Sequence, residues 1–462
     1  MLRRNITTFA RRYITTGKNT DTFYRAQINI RDIINRPNEY KTSIERRQLP
    51  QELIEDVDFI IKNREIQFEM SRKVNDFKHQ RNELAEMLKS KTAPNPQECK
   101  DKLKEIKNDL KPLEHSVKEL EELIYTKAEN LPNLIDETVP TDPFKEDIVQ
   151  FINCASAEDA LNQLPPTETY DHKTIGENFN IFNFSTASRI SGSSWYYLVG
   201  DGALLEQALV QYGLSKARKY GYKMIAPPSI VKSEVVHACG FKPNDQNNEK
   251  QVYELEGEGK SLTGTAEIPL GAYHSSTVFE AGTDFPKKYA GVSRSYRAEA
   301  GASGKDTKGL YRVHEFTKVE LFHFTTPENA AEELEQIKDL QVEIISELGL
   351  KAKLLNMPTS DLGSPAMKKY DTEAWMPGRG NWGELTSCSN CGDYQSRRLG
   401  IKYHRQNEEK LGHVHTLNGT CMAVPRVIVA LVEQNYNPET NEISIPEVLR
   451  PYMDGKDKII PN

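Results

Sequence analysis

From Leu103 to Ile124 the apolar residues Leu103, Ile106, Leu110, Leu113, Val117, Leu120 and Ile124 recur at alternating spacings of three and four. That period is a heptad seam, and it constrains the fold more than any other stretch: a narrow apolar stripe on a long helix is buried only against another rod-like partner. Upstream, Met70, Val74, Phe77, Leu84 and Leu88 form a looser seam, interrupted at Arg81. The intervening Lys91–Pro96 has the proline and polar content of a turn. The pattern predicts an antiparallel two-helix arm standing off the body of the protein. Pro112, inside the second helix, removes a backbone donor and is expected to kink or locally break it. Lys89, Lys91, Lys100, Lys102, Lys104 and Lys107 gather near the predicted tip among Glu98, Asp101 and Glu105. Such a mixture fits either a solubilising face or a surface that meets phosphates.

Beyond the arm, Leu131–Pro143 carries three prolines and reads as a linker. The remainder of the chain alternates strand-like runs (Met224–Ile230, Lys318–Phe324) with helical ones (Leu204–Lys219, Pro327–Leu348), which predicts an α+β fold around an antiparallel sheet. Neither GxxxxGK[ST] nor a strand-bound GxGxxG is present, so a nucleotide here would be held by side chains on a sheet. The richest run is RAEAGASGKDTKGLYRVHEFTKVE, from Arg297 to Glu320, between the strand-like Tyr289–Tyr296 and Val319–Phe324. It reads either as a solvated hairpin or as one in which Arg297, Arg312 and Lys318 converge on an anion, since guanidinium groups bind phosphate and carboxylate oxygens in pairs.

Chain length, 462 residues with 37% hydrophobic and 27% charged, allows two or three ordinary globular domains and excludes a disordered or fibrous chain. A net charge of -7 argues against wholesale polyanion binding but leaves room for a local basic patch. No apolar run is long enough to span a membrane, and no membrane partner is expected. Six cysteines are scattered without a disulfide framework; Cys388-x-x-Cys391 alone has metal-site spacing, and Cys421, His413 or His415 would have to complete it. The first twenty residues hold Arg3, Arg4, Arg11, Arg12 and Lys18 with no acid before Asp21, and Leu2, Ile6, Phe9 and Tyr13 share one helical stripe. This is the composition of an organelle transit segment, the alternative being a basic tail.

Five blocks resemble the seryl-tRNA synthetases of the class II aminoacyl-tRNA synthetase family. YRAE at Tyr296–Glu299, with the loop to Glu320, is similar to motif 2; GYKMIAPPSIVKSE (Gly221–Glu234) to motif 1; LNGTCMAVPR (Leu417–Arg426) to motif 3. LTGTAE, ending at Glu267, and NWGELTSCSNCGDYQSRR (Asn381–Arg398) resemble further segments of the same family. After the transit segment that composition places at 1–20, the resemblance implies a tRNA-binding coiled-coil arm at 21–135 and a class II catalytic domain at 136–462. It implies serine activation with ATP and Mg2+, transfer to tRNA-Ser held by the arm, and a homodimer formed through motif 1; the transit composition adds a mitochondrial matrix location. The alternative is a synthetase-like RNA-binding or regulatory protein without catalysis. Prolyl and threonyl relatives carry an anticodon-binding domain after motif 3, whereas 36 residues follow Arg426, which favours the seryl branch.

The same resemblance assigns roles. Arg297 would hold the α-phosphate and the attacking carboxylate, and Arg426 the γ-phosphate. Ala298, Glu299, Val313, His314, Glu315, Phe316, Glu384, Leu385, Thr386 and Ser387 would complete the ATP site, with Glu299 at the adenine amino group and Phe316 against the ring. Glu384 and Ser387 are the Mg2+ candidates. Thr265, Ala266, Glu267, Arg297, Glu320, Asn418 and Thr420 would bind serine. Where the family often has serine, this chain has Thr420, which keeps the hydroxyl and adds a methyl. Read from the residues alone, His314 is expected as a structural hydrogen-bond partner.

Overall fold

Helices α1 (Glu52–Lys89) and α2 (Pro96–Glu129) form the arm. Asn95 starts α2 by accepting a hydrogen bond from the Glu98 amide at 3.3 Å, and Pro96 stands in the first turn, where a missing donor costs nothing. Lys127 pairs with Asp56 near the base and Lys78 with Glu114 at 2.8 Å further out, so the helices run antiparallel as predicted. Their root is packed, with Val57, Ile60, Ile124 and Ala128 buried with Ile33 and Ile44 of the preceding short helices. Towards the tip Ile106 and Leu110 stay buried while Leu84, Leu88 and Leu103 are half-covered, and the six lysines there are exposed. Of the kink or local break expected at Pro112, the break does not occur: α2 runs unbroken through it. Pro112 and Asn108, whose carbonyl loses its partner, both face solvent, where water replaces the missing donor.

The structure, a computed structural model, describes residues 26–241, 251–280, 282–299, 308–405 and 410–461. The transit segment read from residues 1–20 and the centre of the loop after Glu299 therefore lie outside the described residues.

The body is built on an eight-stranded sheet of β1 (Asp147–Ile152), β2 (Lys223–Ile225), β3 (Lys287–Tyr296), β4 (Glu315–Thr325), β5 (Ala352–Asn356), β6 (Lys368–Met376), β7 (Asn381–Asn390) and β8 (His415–Ala423), in spatial order β1-β5-β6-β7-β8-β4-β3-β2. Every pairing is antiparallel except β2 with β3. Helices α3 (Asp201–Lys219), α4 (Ala330–Glu347) and α5 (Val424–Asn435) pack with the sheet into the main core, around Leu209, Leu321, Ile337 and Val429. This is the α+β architecture expected, a largely antiparallel sheet flanked by helices. One expected strand divides. Met224–Ile230 is not continuous: β2 ends at Ile225, and Ile230–Lys232 pairs in a separate three-stranded sheet, because Pro227 and Pro228 have no amide to give a ladder.

Two bulges decide which side chains meet. Between β6 and β7, Thr372 opposes Thr386 while Glu373 opposes Glu384, leaving Leu385 as the extra residue. Between β4 and β8, Val319 opposes Met422 while Glu320 opposes Thr420, leaving Cys421 extra. A bulge flips the alternation of a strand, so Glu384 and Ser387, three apart, come to one face, and Thr420 and Ala423 do likewise.

Candidate active site

Arg297 follows β3, and its amide donates to the His314 carbonyl at 2.9 Å, which keeps the hairpin zipped beyond its strands. Its Nε donates to the Gly264 carbonyl at 3.4 Å, and its guanidinium carbon lies 5.2 Å from the Phe316 ring centroid. Burial and the neighbouring Arg426 both lower the proton affinity of Arg297. Two cations held this close define a seat for an anion. Arg426, in the first turn of α5, donates through Nη1 to a Glu384 carboxylate oxygen and to the Glu384 carbonyl, both at 3.1 Å, and through Nε to the Tyr311 carbonyl at 3.3 Å. The Tyr311 ring stacks with two arginines, at 4.8 Å from Arg426 and 3.9 Å from Arg379, and its hydroxyl accepts from the Glu384 amide at 3.2 Å. Burial works to raise the Glu384 carboxyl, but Arg426, Lys369 and Arg297 outweigh it and hold the group at about 2. Glu384 is therefore an anion wherever the protein works.

These residues line one cavity with Glu299, Val313, Phe316, Lys318, Leu385, Ser387 and Thr420. Next to Lys318 and Thr420 of that lining lies a buried acidic cluster. Glu320 on β4 accepts from the Thr265 hydroxyl at 3.1 Å and pairs with Lys318 at 2.5 Å, and Thr420 stands opposite it across the β4–β8 bulge. The Thr265 hydroxyl in turn accepts from the Glu267 amide at 3.2 Å. Glu267 takes hydrogen bonds from Gln395 at 2.8 Å and Asn418 at 2.5 Å. Burial, with the nearby charge of Glu320, pushes Glu267 up to about 7, against the opposing pull of Lys318, Gln395 and Asn418. Two buried carboxylates sharing one lysine favour a bound cation that brings a second positive charge. Ala266, fully buried, fixes the turn between Thr265 and Glu267.

Comparison with known proteins decides among the functions such a pocket allows. Residues 28–135 match the seryl-tRNA synthetase N-terminal domain, and residues 252–435 match the tRNA synthetase class II core domain (G, H, P, S and T). The mitochondrial serine–tRNA ligase of Saccharomyces cerevisiae is 46% identical over 94% of this chain and 96% of its own length. The chain belongs to the seryl-tRNA synthetase family. The mitochondrial serine–tRNA ligase of Schizosaccharomyces pombe is 42% identical over 71% of this chain and 68% of its own length. The crystal structure of seryl-tRNA synthetase from Pyrococcus horikoshii complexed with ATP superposes with a TM-score of 0.86 at 34% identity, covering 94% of this chain and all of that one.

Within this seryl-tRNA synthetase fold, most residues singled out from the sequence meet around the cavity, and some do not. Arg297, Glu299, Val313, Phe316, Glu384, Leu385, Ser387, Thr420 and Arg426 line it; Thr265 and Glu320 are buried beside it, and Glu267 and Asn418 line a second cavity. Ala298 is placed by the hydrogen bond its amide donates to the Gln251 carbonyl at 3.1 Å. Glu315 turns away to Arg294 at 2.9 Å, and Thr386 is buried on the opposite face of β7. His314 stacks on Trp195 at 5.6 Å, with Nδ1 3.0 Å from the Tyr253 hydroxyl, the structural role expected of it. Arg312, Lys318 and Arg426 all line the cavity paired with a carboxylate, with Glu299 at 3.3 Å, with Glu320, and with Glu384 at 3.1 Å. Cys388 and Cys391 are both buried, and among the described residues no group of three or more His, Cys, Asp or Glu side chains could hold a metal ion. Tyr311, Arg379, Lys369 and Gln395 were not singled out. Tyr311 and Gln395 lie inside the motif blocks, but only contacts show that one carries Arg426 and the other holds Glu267.

Proposed function

We propose that this protein is a mitochondrial seryl-tRNA synthetase that couples serine activation to charging of tRNA-Ser. What supports this reading is the placement of Arg297 and Arg426 in the cavity beside the buried acidic cluster of Glu267 and Glu320, which meets the cavity lining at Lys318 and Thr420. Serine enters with its ammonium towards Glu267, Glu320 and the Thr265 hydroxyl, and its side-chain hydroxyl towards Glu320, Asn418 and Thr420. Its carboxylate is thereby turned to Arg297. ATP lies against Phe316 with its adenine towards Glu299, its α-phosphate at Arg297 and its γ-phosphate at Arg426. A serine carboxylate oxygen attacks the α-phosphorus, the bond to the β-phosphate oxygen breaks, and pyrophosphate leaves. Fixed cations aimed at those oxygens stabilise the charge that develops. In the second step the terminal ribose hydroxyl of tRNA attacks the seryl carbonyl, and AMP departs.

Glu384 and Ser387 fit Mg2+, which takes one or two protein oxygens together with substrate phosphates: the Leu385 bulge puts both on one side and Glu384 is held ionised. Bound there, Mg2+ would neutralise charge between the phosphates. Glu384 also orients Arg426. The domain division accords with the same reading, with a transit segment at 1–20, an arm at 21–135 whose exposed lysines meet the tRNA backbone, and a catalytic domain at 136–462. The matrix is the location this implies. A homodimer through motif 1 is supported by β2, which ends the sheet with Met224 exposed. Serine-dependent ATP–pyrophosphate exchange by the pure protein with Mg2+ tests the function. No exchange would favour the non-catalytic alternative.

A further inference from the structure

Behind the nucleotide end of the cavity lies a buried pair that is not part of its lining. His172 opens a short helix and is 4% exposed; Glu433, on α5, is fully buried. The His172 Nε2 accepts from the Leu310 amide at 3.2 Å, and its Nδ1 lies 2.7 Å from a Glu433 oxygen. An acceptor at Nε2 and a carboxylate at Nδ1 together fix the tautomer, with the proton on Nδ1. The other Glu433 oxygen accepts from the amides of Gly378 at 2.8 Å and Arg379 at 3.3 Å. Next to His172, Asp171 pairs with Lys308 at 2.8 Å, so the dipeptide grips the returning end of the motif 2 loop from two sides. Gly309 permits the approach: its φ is +72°, and a Cβ there would stand 2.1 Å from the His172 Nε2.

The two segments gripped are those whose side chains stack on each other. Leu310 precedes Tyr311, and Arg379 lies on the Tyr311 ring; Tyr311 then bonds to Arg426 and Glu384. Glu433 also follows Arg426 by two helical turns on α5, on the same stripe of the helix. We propose that His172 and Glu433 are positioning residues for the nucleotide half of the site, setting Tyr311 and through it the angle of Arg426 and Glu384. This rests on the function proposed above and deepens it. Thr265, Glu267 and Glu320 hang from other elements, so the serine half should not feel the pair.

The test uses the full chain and reads ATP and serine separately, as KM in exchange and as ATP Kd by calorimetry, which needs no turnover. His172→Phe is expected to weaken ATP about tenfold or more while serine KM stays within about twofold. His172→Gln, whose amide oxygen reaches towards the place of Nε2, should recover most of the loss; His172→Asn, which reaches only Glu433, should not. Because His172→Phe can also cost folding, the isosteric Glu433→Gln is combined with Tyr311→Leu: if the pair acts through Tyr311, Glu433→Gln adds no ATP loss in the Tyr311→Leu background. Equal weakening of serine and ATP, additive losses, or a lowered melting temperature with unchanged ATP affinity would each overturn the proposal. A wild-type chain that binds ATP without exchanging it would instead count against the function proposed above.

Discussion

Glu267→Gln should make the empty protein more stable and the working one worse. The Glu267 carboxyl rises from 4.5 to about 7, chiefly through burial and secondarily through Glu320. A tenfold change in proton affinity is about 1.4 kcal/mol, so that rise amounts to about 3 kcal/mol. The folded state holds the proton more tightly than the unfolded chain. This contribution is therefore intact below about pH 4.5 and is lost as pH rises through about 7. Glutamine does not titrate and keeps the shape, so the variant should gain on wild type as pH rises, by about 2 to 3 kcal/mol between pH 5 and pH 8. Asp371, also raised to about 7 by burial, is present in both proteins and cancels in the difference. Urea unfolding of both proteins across that range measures the gain. Exchange kinetics should show serine KM up about 10- to 100-fold, the worth of a hydrogen bond to a charged group. A stability difference flat with pH would refute the assignment of a buried, proton-hungry carboxylate, and an unchanged serine KM would refute its contact with the ammonium.

Arg297→Ala should reduce exchange by about a thousandfold or more, since it removes a fixed cation from the developing charge; near-normal exchange would refute its place at the α-phosphate. Pro112→Ala restores the donor to Asn108 without touching a packed surface and should raise the stability of the arm by about 1 to 3 kcal/mol, seen by circular dichroism, with exchange unchanged. An arm that melts no later would mean that α2 has already absorbed the proline elsewhere. Replacing residues 70–116 by a short turn removes the arm but spares its packed root at Val57, Ile60, Ile124 and Ala128. Exchange should survive and charging of tRNA-Ser collapse, and equal loss of both would assign the arm to folding instead.

The arm was legible because its determinant is local: a heptad seam states the partner, the direction and the length of a helix pair within the residues that form it. Pro112 does not break the helix for a related reason. The cost of a lost hydrogen bond depends on whether water reaches the freed carbonyl, and that depends on which face of a helix pair is open. The strand expected at Met224–Ile230 failed at Pro227 and Pro228, where a local signal was present and was outvoted by the apolar run around it.

The site shows a sharper limit. Glu384 and Ser387 are three apart, as are Thr420 and Ala423, and on a regular strand such pairs point to opposite faces. Two bulges, at Leu385 and Cys421, reverse that alternation at the points where β7 and β8 pass the cavity. A period-two reading of these strands therefore places half of the lining on the wrong side, and the family motifs identified Glu384 where spacing did not. The bulges also explain how a single sheet serves substrates of opposite demand. On β4 the regular alternation holds, so Lys318 and Glu320 share one face and meet Ala423 and Thr420 across the Cys421 bulge. Straightening β8 by deleting Cys421 would turn one of those partners away while leaving every charged residue in the chain, which makes strand register, as much as any single side chain, the quantity that joins Glu320 to the lining of the cavity at Lys318 and Thr420.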